Sequence, residues 1–261
     1  MKPNRFGGKI RPLMPEKEKF MSSLGESLNR AGISTIIFDF DDTLIDTSGL
    51  FLVQMYRFVS AVVDKNPELN WKDCWKKLAE YDDETYKKMA VRKEKLLVVA
   101  KLLDAHFKTA PSFSNHADIL LEIYNRVPKL LDGTIDTLDA FKELGIPMAL
   151  VTHANLDWTN LKLDALNLRQ YFKHVEIADD TIPKGSVSWL NTIHALGFIP
   201  EQALVIGDSL GGDMVVSFDI GVKHGIWVEP PWNVHGFGEK PDGLIEVKSI
   251  KQVPEAIMKN F

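Results

Sequence analysis

Short apolar runs alternate with amphipathic stretches along most of the chain. Six runs are bounded by turn-forming residues and predict strands: ISTIIFD, IPMALVTH, HVEIAD, ALVIGD, HGIWVE and GLIEV. Between most of them the apolar positions have helical spacing, as in TLDAFKELG, TNLKLDALN, SVSWLNTIHALG and GDMVVSFDIG. Strands that alternate with helices predict a Rossmann-like α/β fold with a doubly wound parallel sheet. The near-continuous apolar content of the runs indicates strands that are buried on both faces.

The alternation is interrupted after the first predicted strand. From residue 48 to residue 129 the pattern is helical, in FLVQMYRFVSAVV, WKDCWKKLAEY, MAVRKEKLLVVAKLL and ADILLEIYNRV. We predict a core formed by residues 31–47 and 130–261, with residues 48–129 inserted as a helical cap domain. Such sheets bind ligands outside the carboxyl ends of their strands, so an insertion there is expected to lie over the ligand. The alternative is that the inserted helices only decorate the core and have no role over the ligand.

The composition is that of an ordinary folded protein. Of 261 residues, 45% are hydrophobic and 26% charged, and no apolar run approaches the length that spans a bilayer. The single cysteine, Cys74, excludes an internal disulfide and a thiolate zinc site, and it suits a reducing compartment. We interpret residues 1–30 as a flexible basic arm, with a transit peptide as the alternative. A cytoplasmic location is expected.

The net charge narrows the range of partners. At −5 it favours neither nucleic acid nor an anionic membrane. An anionic substrate would have to be gathered by local lysine and arginine side chains. We expect a monomer or a homodimer that acts on a small molecule.

Aspartates directly follow two of the predicted strands. Asp39 and Asp41 come after STIIF, and Asp208 and Asp213 lie in GDSLGGD after ALVI. A buried carboxylate is unfavourable unless a cation or hydrogen-bond donors meet it. Carboxylates at neighbouring strand ends can share a hard divalent cation. A calcium loop is excluded because Leu44 stands where that loop needs glycine, and helix capping would explain only individual aspartates.

Two other strand ends offer partners for an anion. Thr152 is followed by small residues whose backbone amides could cradle an anion at the start of a helix. Lys184, in IPKGS, opens another predicted helix, where a lysine neutralises both a phosphate and a nearby carboxylate. Each residue alone is typical of an ordinary strand end or a solvated position. Together they indicate an anion site beside a metal site.

These motifs resemble those of the haloacid dehalogenase superfamily, and specifically its cap-bearing phosphatases of the phosphoglycolate phosphatase type. DFDDTL resembles the first motif, LVTH the second, the lysine of IPKGS the third and GDSLGGD the fourth. The resemblance implies a Mg²⁺-dependent phosphomonoester hydrolase that acts on a small phosphorylated metabolite through an aspartyl-phosphate intermediate. It also implies that Asp39 is the nucleophile and Asp41 the general acid and base.

The resemblance assigns the remaining site residues as well. Mg²⁺ would be held by Asp39, the backbone carbonyl of Asp41, Asp208 and Asp213. The phosphoryl group would be bound by Thr152 and Lys184. His153 departs from the family pattern, in which asparagine or a small residue is common at this position; it could also bind the phosphate, although a histidine near a strand end is more commonly structural.

Two residues help to choose among members of the superfamily. Asp41 favours a phosphatase over a dehalogenase, because only a poor leaving group needs an acid two places after the nucleophile. Asp42 stands where glycine is common, and we interpret it as an outward-facing turn residue. A phosphomutase and a non-catalytic regulatory protein with the same fold are the alternatives. The complete set of catalytic residue types argues against the second.

Substrate specificity has few sequence signals. The segment KKMAVRKEK is interpreted as a helix with a solvated basic face, and contact of Arg92 or Lys93 with a second anionic group is the alternative. Trp232 and His235 would either wall the entrance to the site or belong to a packed surface loop.

Overall fold

A computed structural model describes residues 15–109, 111–178, 184–229 and 239–261. The predicted strands are present as β1 (Thr35–Phe38), β2 (Met148–His153), β3 (His174–Ala178), β4 (Ala203–Gly207), β5 (His224–Val228) and β6 (Ile245–Val247). They form one sheet in the order β3-β2-β1-β4-β5-β6, and every neighbouring pair is parallel. The order reverses at β1, so the predicted doubly wound α/β fold is confirmed.

Helices cover both faces of the sheet and form a separate layer after β1. Their bounds are α1 (Glu16–Arg30), α2 (Thr47–Val63), α3 (Trp71–Met89), α4 (Glu94–Phe107), α5 (Ala117–Leu121), α6 (Thr134–Glu143), α7 (Leu156–Ala165), α8 (Ser186–Ala195), α9 (Val216–Asp219) and α10 (Val253–Asn260). No described helix is both long and apolar enough to cross a membrane.

Alternate residues of the central strand supply two different apolar cores. Ile36 and Phe38 pack with side chains of α1, α6, α7 and α10 on one face of the sheet. Ile37 packs on the other face with Trp189 and Ile193 of α8. All four residues of β1 are buried, because a strand at the centre of a doubly covered sheet has no solvent face. The carboxyl end of β1 lies at the point in the sheet where the strand order reverses.

Helices α2 to α5 surround an apolar cluster of their own. Phe58, Val99, Leu103 and Phe113 are fully buried in it. Side-chain caps begin two of these helices: Asp46 accepts from the amide of Gly49 at 2.9 Å before α2, and Asn70 caps α3. One member of the cluster, Trp158, comes from α7 rather than from the insertion. Helices with a core of their own therefore occupy the segment between β1 and β2.

The first described residues are helical, so the interpretation of residues 1–30 as a flexible arm is corrected for residues 16–30. Leu24 and Leu28 of α1 are fully buried in the core beside α10. Phe20, Leu24 and Leu28 recur at four-residue spacing, which is a helical signal that the neighbouring charges obscured. Residues 1–14 lie outside the described part of the chain.

Two predicted helices also differ in extent. KKMAVRKEK is not one helix, because α3 ends at Met89 and Ala90 has φ 49° before α4 begins at Glu94. GDMVVSFDIG is not one helix either: a π-helical turn, Leu210–Val215, overlaps its start and is followed by only four residues of α9. π-turns of this kind are common at functional sites.

Candidate active site

The site lies at the carboxyl ends of β1 and β4. Asp39 directly follows β1, and its amide donates to the carbonyl of Ile206 in β4 at 2.8 Å. Asp39 is 3% exposed, and its carboxylate accepts from Thr43 Oγ1 at 3.0 Å. The same hydroxyl lies 3.4 Å from Oδ1 of Asp208, which follows β4. Adjacent parallel strands thus bring two predicted site aspartates to one hydroxyl.

Asp213 completes a cluster of three buried carboxylates. One carboxylate oxygen from each of Asp39, Asp208 and Asp213 lies within 4.8 Å of the other two. Oδ2 of Asp208 is buried and has no hydrogen-bond partner within the described residues. Three hard oxygen donors, one of them unsatisfied, match the ligands that Mg²⁺ prefers. The residues present therefore fit a divalent cation.

The π-helical turn directs Asp213 back toward the strand end. The amide of Ser209 donates to Oδ2 of Asp213 at 2.9 Å, and Ser209 Oγ accepts from the amide of Gly212 at 3.0 Å. These bonds anchor the first residues of the turn. As a result the carboxylate of Asp213 is fully buried against the end of β4.

Lys184 supplies the positive partner that the cluster requires. Its ammonium forms ion pairs with Asp39 and, at 2.6 Å, with Oδ1 of Asp213. The lysine side chain is only 9% exposed. One ammonium cannot neutralise three buried carboxylates, so the cluster has an excess of negative charge.

The protonation of the cluster reflects that excess. Burial raises the pKa of Asp39 to about 7, the Lys184 ammonium opposes the rise, and repulsion from Asp213 adds to it. Burial, followed by repulsion from Asp39 and Asp213, raises the pKa of Asp208 well above its ordinary value. Burial disfavours the charged form of Lys184, but attraction to Asp213 and Asp39 outweighs it and raises the pKa of this lysine. A bound cation would relieve the same repulsion.

Asp41 lies apart from the cluster and has partners of its own. Its Oδ1 accepts from the Thr47 hydroxyl and, at 2.5 Å, from Nζ of Lys162. Its Oδ2 lies 3.4 Å from Oγ1 of Thr152. The structure thus brings Thr152, which the resemblance assigns to phosphate binding, next to the residue that the resemblance assigns to acid–base chemistry.

Two residues of the site, Lys162 and Thr47, were not predicted from the sequence. The lysine occupies what looks like an ordinary polar position of TNLKLDALN, yet it is fully buried. Its Nζ lies 4.2 Å from the ring centroid of Trp158 and 5.0 Å from that of Phe40. The available signal was the four-residue spacing between Trp158 and Lys162, which places both on one face of α7. Thr47 had no signal beyond its place at the start of α2.

The turn after Asp41 is built around Asp42. This residue has φ 62°, and its carboxylate accepts from the amide of Ser48 at 2.8 Å and from the Ser48 hydroxyl. Aspartate tolerates this left-handed conformation better than most residues. The turn role that we predicted is therefore present. The outward orientation is wrong, because Asp42 is only 8% exposed.

Side chains of the helical insertion also approach the site. Tyr86 is 43% exposed, and its partial burial raises the pKa of the phenol. The charge of Lys184 opposes that rise, so Tyr86, near the end of α3, lies within electrostatic range of Lys184. Lys95 does not belong to a solvated face, because it is buried, pairs with Asp82 at 2.8 Å and lies 5.2 Å from the Tyr86 ring centroid. Arg92 is exposed.

Three further predictions stay open. His153 is the last residue of β2 and is half-buried beside Thr152, so its role in phosphate binding stays a prediction. Trp232 and His235 lie outside the described residues.

Comparison with known sequences agrees with this geometry. A family described as haloacid dehalogenase-like hydrolase matches residues 36–226. A phosphoglycolate phosphatase of Thiobacillus denitrificans is 32% identical over 102 residues, which are 38% of this chain and 43% of that protein. The matched region thus spans less than half of that relative. A glyceraldehyde 3-phosphate phosphatase of Pyrococcus furiosus is 25% identical over 196 residues, 73% of this chain and 79% of the relative.

Solved structures share the fold. A haloacid dehalogenase-like family hydrolase from Xanthomonas campestris superposes with a TM-score of 0.67 at 17% identity, covering 87% of this chain and 95% of the other. The magnesium-bound YfnB protein of Bacillus subtilis superposes with a TM-score of 0.66 at 18% identity, covering 86% and 98%. At these identities the likeness concerns the fold alone.

Proposed function

The chain belongs to the haloacid dehalogenase-like hydrolase family, and we propose that within it this protein is a Mg²⁺-dependent phosphatase of small phosphorylated metabolites. The observation that carries the proposal is the buried cluster of Asp39, Asp208 and Asp213 with Lys184 beside it. A carboxylate that will attack phosphorus must have its charge offset, since the phosphate is also an anion. Lys184 supplies part of that charge at the nucleophile itself.

The cation site is proposed at the same cluster. Asp39, Asp208 and Asp213 would hold Mg²⁺ together with the backbone carbonyl of Asp41. When bound, the ion would neutralise these carboxylates and draw negative charge from the transferring phosphoryl group.

The side chains suggest a two-step reaction. Asp39 attacks phosphorus and becomes an aspartyl-phosphate, while Lys184 and Thr152 orient the phosphoryl oxygens. Asp41 donates a proton to the leaving alkoxide oxygen and then takes one from the attacking water, which splits the aspartyl-phosphate. A group that serves as acid and then as base contributes typically about 10²–10⁴-fold. Asp41 suits this role because it is partly exposed, with a side-chain exposure of 22%, beside the buried nucleophile.

We propose that residues 48–129 act as a cap over residues 31–47 and 130–261. The apolar cluster of α2 to α5 supports a cap with a core of its own, which Trp158 of α7 anchors to the rest of the protein. We propose Tyr86, which lies close enough to Lys184 to feel its charge, as a cap residue that contacts the substrate beyond its phosphate. A cytoplasmic monomer or homodimer completes the proposal, and the single buried thiol of Cys74 suits a reducing compartment.

Phosphate release provides the test. Phosphoglycolate, glyceraldehyde 3-phosphate and p-nitrophenyl phosphate would be offered to the wild type with and without Mg²⁺. We expect release that requires Mg²⁺ and falls at least about 10³-fold in Asp39→Asn, since the nucleophile is then lost. Asp219→Asn, at an exposed position of α9, is the matched control and should keep full activity. Undiminished release by Asp39→Asn would refute the proposal, and transfer to an added sugar phosphate in excess of hydrolysis would indicate a phosphomutase.

A further inference from the structure

A fully buried lysine touches the proposed acid–base residue. Lys162 has no exposed surface, and its Nζ lies 2.5 Å from Oδ1 of Asp41. Burying an ammonium is strongly unfavourable unless a carboxylate and hydrogen bonds compensate for the lost water. Two aromatic rings complete its surroundings, Trp158 at 4.2 Å and Phe40 at 5.0 Å. These contacts fix the ammonium in one place.

Packing alone does not explain this choice of residue. Replacing a buried ion pair as a whole with apolar side chains of similar volume is often neutral or stabilising, whereas removing one partner alone is destabilising. Stability by itself therefore does not require the Lys162–Asp41 pair, and the charge of Lys162 is of use at this position through its action on Asp41.

The contact distinguishes the two oxygens of Asp41. Oδ1 accepts from Lys162 and from Thr47, so both of its favourable directions are taken. Oδ2 has Thr152 at 3.4 Å, which is long for a hydrogen bond between two oxygens. The less engaged oxygen is therefore Oδ2.

We propose that Lys162 is a positioning residue that holds Oδ1 of Asp41 and leaves Oδ2 to carry the transferred proton. This inference rests on the proposed phosphatase function. In the first step a bond forms between Asp39 and phosphorus, the bond from phosphorus to the leaving oxygen breaks, and the proton on Oδ2 passes to that oxygen. In the second step Oδ2 takes a proton from water as the water oxygen bonds to phosphorus and the Asp39 carboxylate is released.

The test uses the dependence of acid catalysis on the leaving group. An alkoxide leaving group needs the proton, whereas p-nitrophenolate departs without it. Formation of the phosphoenzyme would be followed in single turnovers with an alkyl phosphate and with p-nitrophenyl phosphate. In Lys162→Met we expect a loss of up to about 10²-fold for the alkyl phosphate, as is typical of a misplaced catalytic group, and a much smaller loss for the aryl phosphate. Equal losses for both substrates would overturn the proposal.

Two further variants separate positioning from general damage. Lys142→Met, on α6, removes an exposed lysine whose Nζ also lies near an aromatic ring, 4.9 Å from the centroid of Tyr171, and should leave both rates unchanged. In an Asp41→Asn background, Lys162→Met should add little further loss for the alkyl phosphate, because the two residues act as one unit. Full additivity would contradict the role of Lys162.

A measurement without Mg²⁺ or substrate examines the pair itself. Lys162→Met should lower the melting temperature by leaving Asp41 without its ammonium, and adding Asp41→Asn should recover part of that loss. No recovery would show that the two residues are not coupled. If Lys162→Met does not fold, the double variant, compared with Asp41→Asn alone, still gives the kinetic answer. The phosphatase function itself would be refuted by a different result, namely wild-type protein whose phosphate release does not depend on Asp39.

Discussion

A Cβ atom at Gly207 would lie 2.6 Å from Cγ of Asp213, closer than real side chains approach one another. The last residue of β4 therefore has to be glycine for the Asp213 carboxylate to rest against the strand end. The backbone of Gly207 needs no special conformation, so this requirement is purely one of space.

Gly207→Ala is expected to displace Asp213 and to weaken Mg²⁺ binding by about 10–100-fold, as is typical when the support of a metal ligand is lost. Mg²⁺ titrations monitored by thermal shift and by phosphate release would measure this. Gly185→Ala is the matched control, because a Cβ atom there meets nothing within 4 Å. Equal Mg²⁺ affinity in both variants would contradict the steric account.

The buried cluster predicts a pH-dependent stability in the absence of metal. With a native pKa of about 7, Asp39 keeps a proton that the unfolded chain has already lost above about pH 4. The native state then binds more protons than the unfolded state, so the free energy of unfolding falls as pH rises from about 5 to 7. In EDTA we expect Asp39 alone to contribute a slope of up to about 1.4 kcal/mol per pH unit, measured by urea denaturation, and Asp208, whose pKa is also raised, to add to it. Saturating Mg²⁺ should reduce this slope.

Asp39→Asn provides the control for that slope, since the amide cannot titrate. Burial lowers the pKa of His224. This histidine therefore contributes a slope of the opposite sign, because its contribution to the free energy of unfolding increases as pH rises toward the ordinary pKa of histidine. The difference between wild type and variant reports the titration of Asp39 together with its repulsion of Asp208. A wild-type slope equal to that of the variant would exclude the assignment.

Asp42 offers a comparison between two substitutions. Both Asp42→Gly and Asp42→Ala lose the bonds to Ser48, but only alanine must then hold φ 62° with a side chain. A left-handed conformation costs about 1–2 kcal/mol for such a residue. The alanine variant should therefore be less stable than the glycine variant by about 1 kcal/mol in urea denaturation. An alanine variant as stable as the glycine variant would argue against strain at this turn.

Trp158 should be among the residues on which stability depends most. Its indole packs edge-on against Phe51 and Tyr124, with ring centroids 5.8 and 5.4 Å away, and its Nε1 donates to the carbonyl of Arg126 at 2.7 Å. Trp158→Ala is expected to lower the free energy of unfolding by about 3–5 kcal/mol. Trp75→Ala, which removes an indole stacked on Trp71 and only partly buried, should have a smaller effect. Urea denaturation of both variants makes the comparison.

The fold was largely predictable from the sequence because its strands are buried on both faces. Such strands appear as short apolar runs, and all six predicted runs contain a strand. Helix α1 was harder to predict, because it has only one apolar face and begins among charged residues. The break at Ala90 had no signal, since alanine is an ordinary helix residue and its positive φ depends on tertiary packing.

The site was predictable where motif residues stand at strand ends. Asp39, Asp208, Asp213 and Lys184 lie together, and each follows a strand or precedes a helix in the sequence. Lys162 was not predictable in the same way, because a lysine within a helix is nearly always solvated. Only the orientation of α7 against Phe40 and Asp41 shows that this lysine points inward.

Trp158 also bears on how this protein could be recombined with its relatives. The chain returns from the insertion before Trp158, yet the indole sits among the side chains of α2 to α5. A chimera that exchanged only the segment between β1 and β2 would leave this tryptophan facing a foreign set of helices. The insertion is one continuous segment of the sequence, but its apolar core extends to a helix outside that segment. A unit that could be transferred would therefore have to include α7. Because α7 also bears Lys162, exchanging that unit would replace the support of Asp41 along with the insertion.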